Sequence, residues 1–104
     1  MIIVYTKDWC GYCHIAMKYL KENEIEFEEI NLDHNPDAKA YMISEGHTTV
    51  PQIYNKISNS ERIYEELLVE DGCNGLLALS KEEILEKTLI FLWQGLFFML
   101  YYKS

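Results

Sequence analysis

Apolar residues along the chain recur with two periods, and the changes between them mark the elements. Ile2–Thr6 is an unbroken β-branched and aromatic run, the pattern of a strand buried on both faces. From Cys10 the apolar positions become helical: Cys13, Ala16, Met17 and Leu20 share a stripe, while Lys18, Lys21 and Glu22 point outward. Asn23 is the expected stop. A second strand is predicted over Glu26–Asn31, with Phe27, Ile30 and Leu32 inward. Strand, helix and strand at this spacing require a right-handed crossover and a parallel pair.

Asn35-Pro36-Asp37 predicts the next helix start, with Asn35 as cap, proline at the first helical position and an acidic residue in the first turn. Ala38, Tyr41 and Met42 form its apolar face and Gly46 ends it. Gln52–Tyr54 begins a third strand, Ser58-Asn59-Ser60 reads as a turn, and Leu67–Glu70 reads as the returning fourth strand. Gly72 allows a tight entry into the apolar stretch Leu76–Leu79. Ser80 followed by Glu83 is a capping box that opens a last helix through Ile84, Leu85 and Leu89. The predicted order is βαβαββα, a four-stranded mixed α/β sheet flanked by helices.

Composition narrows the class. A chain of 104 residues, 49% hydrophobic, suits one domain with one core. Its net charge of −8 disfavours nucleic acid as a partner. Three cysteines are too few for a disulfide-stapled secreted scaffold and cannot all pair. The start has one short apolar run, then Lys7 and Asp8, whereas a secretory signal puts basic residues first; cytoplasmic residence is expected.

The chemistry concentrates at Cys10-Gly11-Tyr12-Cys13. Two cysteines at i and i+3 on a helical first turn are close enough to bridge, and the first sits where unpaired N–H groups favour a thiolate. A CxxC between a strand and a helix is a candidate redox site. The same residues with His14 match the C-x-x-C-H haem-attachment spacing, but the buried strand ahead of them and the missing export signal oppose that reading. Zinc would need a second ligand pair, for which only Cys73 and scattered histidines remain. His14, His34 and His47 are expected on the surface.

Lys7, Cys10-Gly11-Tyr12-Cys13, Thr49-Val50-Pro51 and Asp71-Gly72-Cys73-Asn74 stand in the order seen in dithiol glutaredoxins, and the chain resembles that family of the thioredoxin fold. The resemblance spans roughly Ile2 to Leu89. It departs in having Gly11 where the family more often has proline, Asp71-Gly72 for two glycines, Asn74-Gly75 for acidic residues, and a longer stretch from Pro51 to Cys73, read as an extended hairpin around Asn55–Glu66. Trp9-Cys10-Gly11 is reminiscent of thioredoxin, yet too few residues precede Cys10 for thioredoxin's extra strand and helix.

The resemblance implies a glutathione-dependent disulfide oxidoreductase. In it Cys10 is the nucleophile and Cys13 the resolving thiol. Glutathione is held by Lys7, Tyr12, Thr49, Val50, Pro51 (after a cis bond), Cys73 and Asn74, and the neutral Asn74 weakens the grip on its ammonium. Cys73 itself is expected to be a packing residue. Substrates would be protein disulfides and glutathione mixed disulfides, ribonucleotide reductase being a frequent client of the family. No metal is required. Two alternatives follow from relatives: a [2Fe–2S] cluster shared between two subunits, and a thioredoxin-like protein fed by thioredoxin reductase.

The resemblance stops before the last residues. It assigns 1–89 to the glutaredoxin domain and leaves 90–104 as an apolar C-terminal helical extension. Residues 89–102 would span roughly 21 Å as a helix, short of a hydrocarbon core of about 30 Å. That segment is expected to pack on its own domain or on a partner chain such as a second copy, with loose membrane association or a functionless extension as the alternatives.

Overall fold

The computed structural model describes residues 1–88. The expected apolar extension, 90–104, and Leu89 lie outside the described residues. Strand β1 (Ile2–Thr6) is buried at every position, as its unbroken apolar run requires. It leads through a short loop into α1 (Gly11–Glu22), which buries Cys13, Ala16, Met17 and Leu20 and is capped by Asn23. The chain returns along β2 (Phe27–Asn31), parallel to β1 with Ile2 opposite Phe27. After a 3₁₀ turn over Leu32–His34 comes α2 (Pro36–Ser44), then β3 (Gln52–Ser58) and β4 (Ile63–Leu67), each antiparallel to its neighbour. The sheet order is β2-β1-β3-β4.

Short helix α3 (Gly72–Leu77) follows, and residues 81–88 form the described part of α4. Ser80 Oγ accepts from the Glu83 N–H and the Glu83 carboxylate accepts from the Ser80 N–H, both at 3.2 Å. The capping box is therefore formed, with one helix more than the predicted order placed ahead of it. Buried Asn55 ties α4 to the sheet by donating to the Thr88 carbonyl at 3.2 Å.

Each face of the sheet carries its own apolar cluster. Cys13, Ala16, Leu20 and Ile84 pack on Ile2, Val4 and Ile53; on the opposite face Leu32 and Met42 pack on Ile3, Tyr5 and Tyr54.

Three local readings are corrected. The fourth strand lies at Ile63–Leu67, upstream of the predicted Leu67–Glu70. Its Glu65 and Glu66 look like loop residues, but β4 is an edge strand on which charge is tolerated, and Glu65 accepts from the Tyr5 hydroxyl at 2.5 Å. Leu68 still donates to the Ile53 carbonyl at 2.8 Å, but Val69 cannot follow in the strand: both are buried in one cluster, and consecutive strand residues face opposite sides. The extended hairpin itself is present, its turn built by the Asn59 side chain accepting from the Glu61 and Arg62 N–H groups. In β2, Phe27 packs on the α1 face and Ile30 on the α2 face, since an interval of three inverts the side. Asn35 occupies the cap position of α2 without a side-chain cap, because its amide donates to the Asn31 carbonyl at 2.7 Å.

Two predictions follow from the packing. Gly72 has φ +51°, and a Cβ there would lie 2.7 Å from the Pro51 carbonyl oxygen. Gly72→Ala should lose about 1–3 kcal/mol, read as a lower urea midpoint, whereas Gly11→Ala meets nothing within 4 Å and should be neutral or stabilising. Equal midpoints for the two variants would refute the close approach.

The second concerns alkali. Burial, followed by nearby Glu45, Tyr41 and Glu65, pushes the Tyr54 phenol up to about 12, and burial with the Glu65 hydrogen bond raises Tyr5 as well. Unfolded tyrosine ionises near 10. Between those values the folded state holds more protons, so stability is fully present below pH 10 and falls as pH rises towards 12. Tyr54→Phe should flatten that slope in urea titrations; an unchanged slope would rule the phenol out as its source.

Candidate functional site

The site forms where the end of β1 and the start of β3 meet the starts of α1 and α3. The loop 7–9 is held from below: Asp8 accepts from the Asn31 amide at 2.9 Å and meets His34 Nε2 at 3.2 Å, while its N–H donates to Asp33 at 2.8 Å. This delivers Cys10 to the cap position of α1. Its backbone is extended, and its Sγ accepts from the Cys13 N–H at 3.2 Å. Sulfur thus does for this helix what an oxygen does in most caps. Cys10 and Cys13 form a disulfide with Cα atoms 5.3 Å apart. Cys10 is half-buried and Cys13 is buried against the core, so only the first sulfur is open to a partner molecule.

A cleft of about 270 Å³ lies beside the pair. Tyr12 forms one wall, the Thr49–Pro51 segment the floor, and the 70–74 turn the far wall. The Val50–Pro51 bond is cis, and the Val50 carbonyl oxygen lies 4.0 Å from Cys10 Sγ. Of the residues expected to hold a ligand, Tyr12, Thr49, Val50, Pro51, Cys73 and Asn74 all line this cleft. Lys7 does not. It lines a smaller hollow of about 130 Å³ on the other side of Thr49 and Val50, with Lys39 and His47.

Cys73 is buried and its thiol is pushed up by that burial, which suits packing rather than nucleophilic attack. Among the described residues no group of three or more His, Cys, Asp or Glu side chains is placed to hold a metal ion.

Several site residues were not singled out from the sequence. Gln52 and Glu70 line the cleft, as does Asp71, named in the motif but not as a ligand-holding residue, and Lys39 joins Lys7. Their closeness in sequence to Pro51 and Cys73 is the available signal for the first three; Lys39 has none, because α2 brings it in by tertiary packing. His47, expected as a surface residue, is half-buried and bonds to the Tyr54 hydroxyl at 2.6 Å.

Comparison with known proteins agrees with this geometry. A family model for glutaredoxin matches residues 2–60, more than half of the chain. A glutaredoxin of Pseudomonas aeruginosa is 39% identical over 54 residues, covering 51% of this chain and 64% of its own length. Glutaredoxin 3 of Escherichia coli is 42% identical over 52 residues, covering 49% and 63%. The chain thus spans a little under two thirds of the length of these two relatives. The glutaredoxin-like protein NrdH of Lactococcus lactis is 40% identical over 53 residues, covering 51% of this chain and 74% of its own. Among solved structures, a glutaredoxin from Brucella melitensis has a TM-score of 0.55 at 31% identity, covering 84% of this chain and 88% of that one. Sharing its fold, the match over residues 2–60 and the arrangement around Cys10, the chain belongs to the glutaredoxin family of the thioredoxin-fold superfamily.

Proposed function

We propose that this protein is a glutathione-dependent thiol–disulfide oxidoreductase working through Cys10 and Cys13. The observation that carries the reading is the cap: Cys10 Sγ accepts from a backbone N–H at the start of a twelve-residue helix and stands beside a ligand-sized cleft. When the pair is reduced, that N–H and the helix dipole stabilise a thiolate, the form that attacks disulfides.

On a glutathione mixed disulfide the Cys10 thiolate attacks the glutathione sulfur. The S–S bond breaks and the substrate sulfur leaves as thiolate. A second glutathione thiolate then attacks the glutathione sulfur held on Cys10, forming oxidised glutathione and returning the Cys10 thiolate. On a protein disulfide Cys10 bonds one substrate sulfur and the other leaves. Cys13 then attacks Cys10, frees the product thiol and closes the bridge seen here. Two glutathione molecules reopen it in sequence.

In this reading the substrate backbone lies along Val50 in extended form. Tyr12 covers it, Cys73 and Asn74 receive the γ-glutamyl end, and Lys7 faces the glycine carboxylate from the adjoining hollow. A reducing compartment, the cytoplasm, keeps such a pair turning over.

A second reading is thioredoxin-like, with electrons from thioredoxin reductase. The 40% match to an NrdH protein over 74% of its length supports it. Cys10→Ser should abolish reduction of a glutathionylated peptide. Cys13→Ser should retain at least a third of the wild-type rate, since glutathione alone resolves the Cys10 adduct. The wild type should turn over with glutathione and glutathione reductase; turnover with thioredoxin reductase and none with glutathione would decide for the second reading.

A further inference from the structure

Between Gly46 and Pro51 the chain crosses the top of the sheet and supplies Thr49 and Val50 to the site. Among the described residues the N–H groups of Thr48, Thr49 and Val50 make no backbone hydrogen bond, so the segment is not secured by a ladder. Side chains secure it at both ends. Downstream, the Gln52 amide donates to the Thr49 carbonyl at 2.9 Å and to its hydroxyl at 3.3 Å. Upstream, after its N–H has bonded to the Met42 carbonyl at 3.0 Å, His47 reaches back into the sheet. Its Nε2 meets the Tyr54 hydroxyl at 2.6 Å, and the two rings stand edge to face at 5.8 Å.

Tyr54 is a rigid anchor. It is 2% exposed, sits mid-sheet on β3, and packs edge-on against Tyr5 at 5.4 Å and tilted against Tyr41 at 6.0 Å. A fixed hydroxyl at the buried end of this tyrosine cluster sets where His47 rests. His47 in turn lines the hollow that Thr49 and Val50 wall off from the cleft. Nothing in the redox chemistry needs an imidazole there, which leaves the bond to Tyr54 as its evident task.

We infer that His47 is a positioning residue: its hydrogen bond to Tyr54 holds the Thr49–Val50 backbone in the conformation that receives an extended substrate. The inference rests on the proposed function for its kinetic readout and on geometry alone for its structural one. It separates two roles within the site. The α1 cap governs the reactivity of Cys10, and the His47–Tyr54 bond governs how well the substrate backbone is received.

The test uses His47→Leu, Tyr54→Phe, the double variant and His47→Gln in the full chain. With a glutathionylated peptide and the glutathione system, His47→Leu and Tyr54→Phe should each raise KM about fivefold, roughly the worth of one hydrogen bond, with kcat within about twofold. The double variant should be no worse than Tyr54→Phe alone, because the bond that His47→Leu removes is already lost there. His47→Gln, which keeps a side-chain partner for the hydroxyl, should recover most of the loss. In parallel, amide order parameters at Thr49 and Val50 should fall in His47→Leu and return in His47→Gln. Unchanged KM and unchanged order parameters in a folded His47→Leu variant overturn the inference, as does a double variant whose effects multiply. A wild type inactive with glutathione overturns the proposed function instead, and the order parameters then decide the inference alone.

Discussion

One sulfur atom joins the fold to the chemistry. Cys10 Sγ caps α1 by accepting from the Cys13 N–H, and the same contact marks the place where negative charge on that sulfur is favoured. The cap position is set by what precedes it. β1 is buried along its whole length and cannot shift without exposing one face, and Asp8 pins the following loop to Asn31, Asp33 and His34. Trp9 makes the last turn with a left-handed φ of +59°. The position of the reactive atom is thus fixed by burial at one end and by a carboxylate-centred cluster at the other.

The two faces of the sheet divide the remaining work. The α1 face holds Cys13 and Cys73 within one apolar cluster, which packs the buried thiol together with the far wall of the cleft. The α2 face holds the tyrosines and, through His47, the entry to the substrate-facing loop. Among the described residues Val50 is the one partly buried residue packed against both clusters. It is also the residue whose carbonyl lies nearest Cys10 Sγ among the hydrogen-bonding contacts of that atom beyond its own helix. Val50 thus stands where both faces of the sheet meet the site. Gly72 completes the junction, since only a residue without Cβ lets the 70–74 turn approach the Pro51 carbonyl.

What was legible in the sequence was whatever local chemistry dictates. The unbroken run of β1, the stripe of α1, the proline-started α2 and the Ser80–Glu83 box each carry their own signal within a few residues, and each is found where expected. β4 is not legible locally, because its charges suit an edge strand and Glu65 finds its partner, Tyr5, sixty residues away. Asn35 failed as a cap because Asn31, brought near by the 3₁₀ turn, offered its amide a carbonyl. The site followed the same division. Cys10, Cys13 and the Thr49–Pro51 segment announce themselves by motif, whereas Lys39 and His47 acquire their places from packing between α2 and the sheet.

Charge sets the terms on which any substrate enters. The far wall of the cleft carries Glu70 and Asp71, and the nearest lysines among the lining residues described, Lys7 and Lys39, stand on the other side of the Thr49–Val50 segment. A ligand lying across that segment therefore meets a positive field at one end and a negative field at the other. Glutathione carries carboxylates at both ends and an ammonium at only one. Its orientation in the proposed site then follows from charge: the glycine carboxylate goes to the lysines and the γ-glutamyl ammonium to the acidic wall, with the second carboxylate left to the backbone of a short helix start. Asn74 withdraws a negative charge from that end and Asp71 restores one three residues earlier, on the same wall. In the proposed reading the ammonium is therefore met by Glu70 and Asp71 rather than by a charge at position 74.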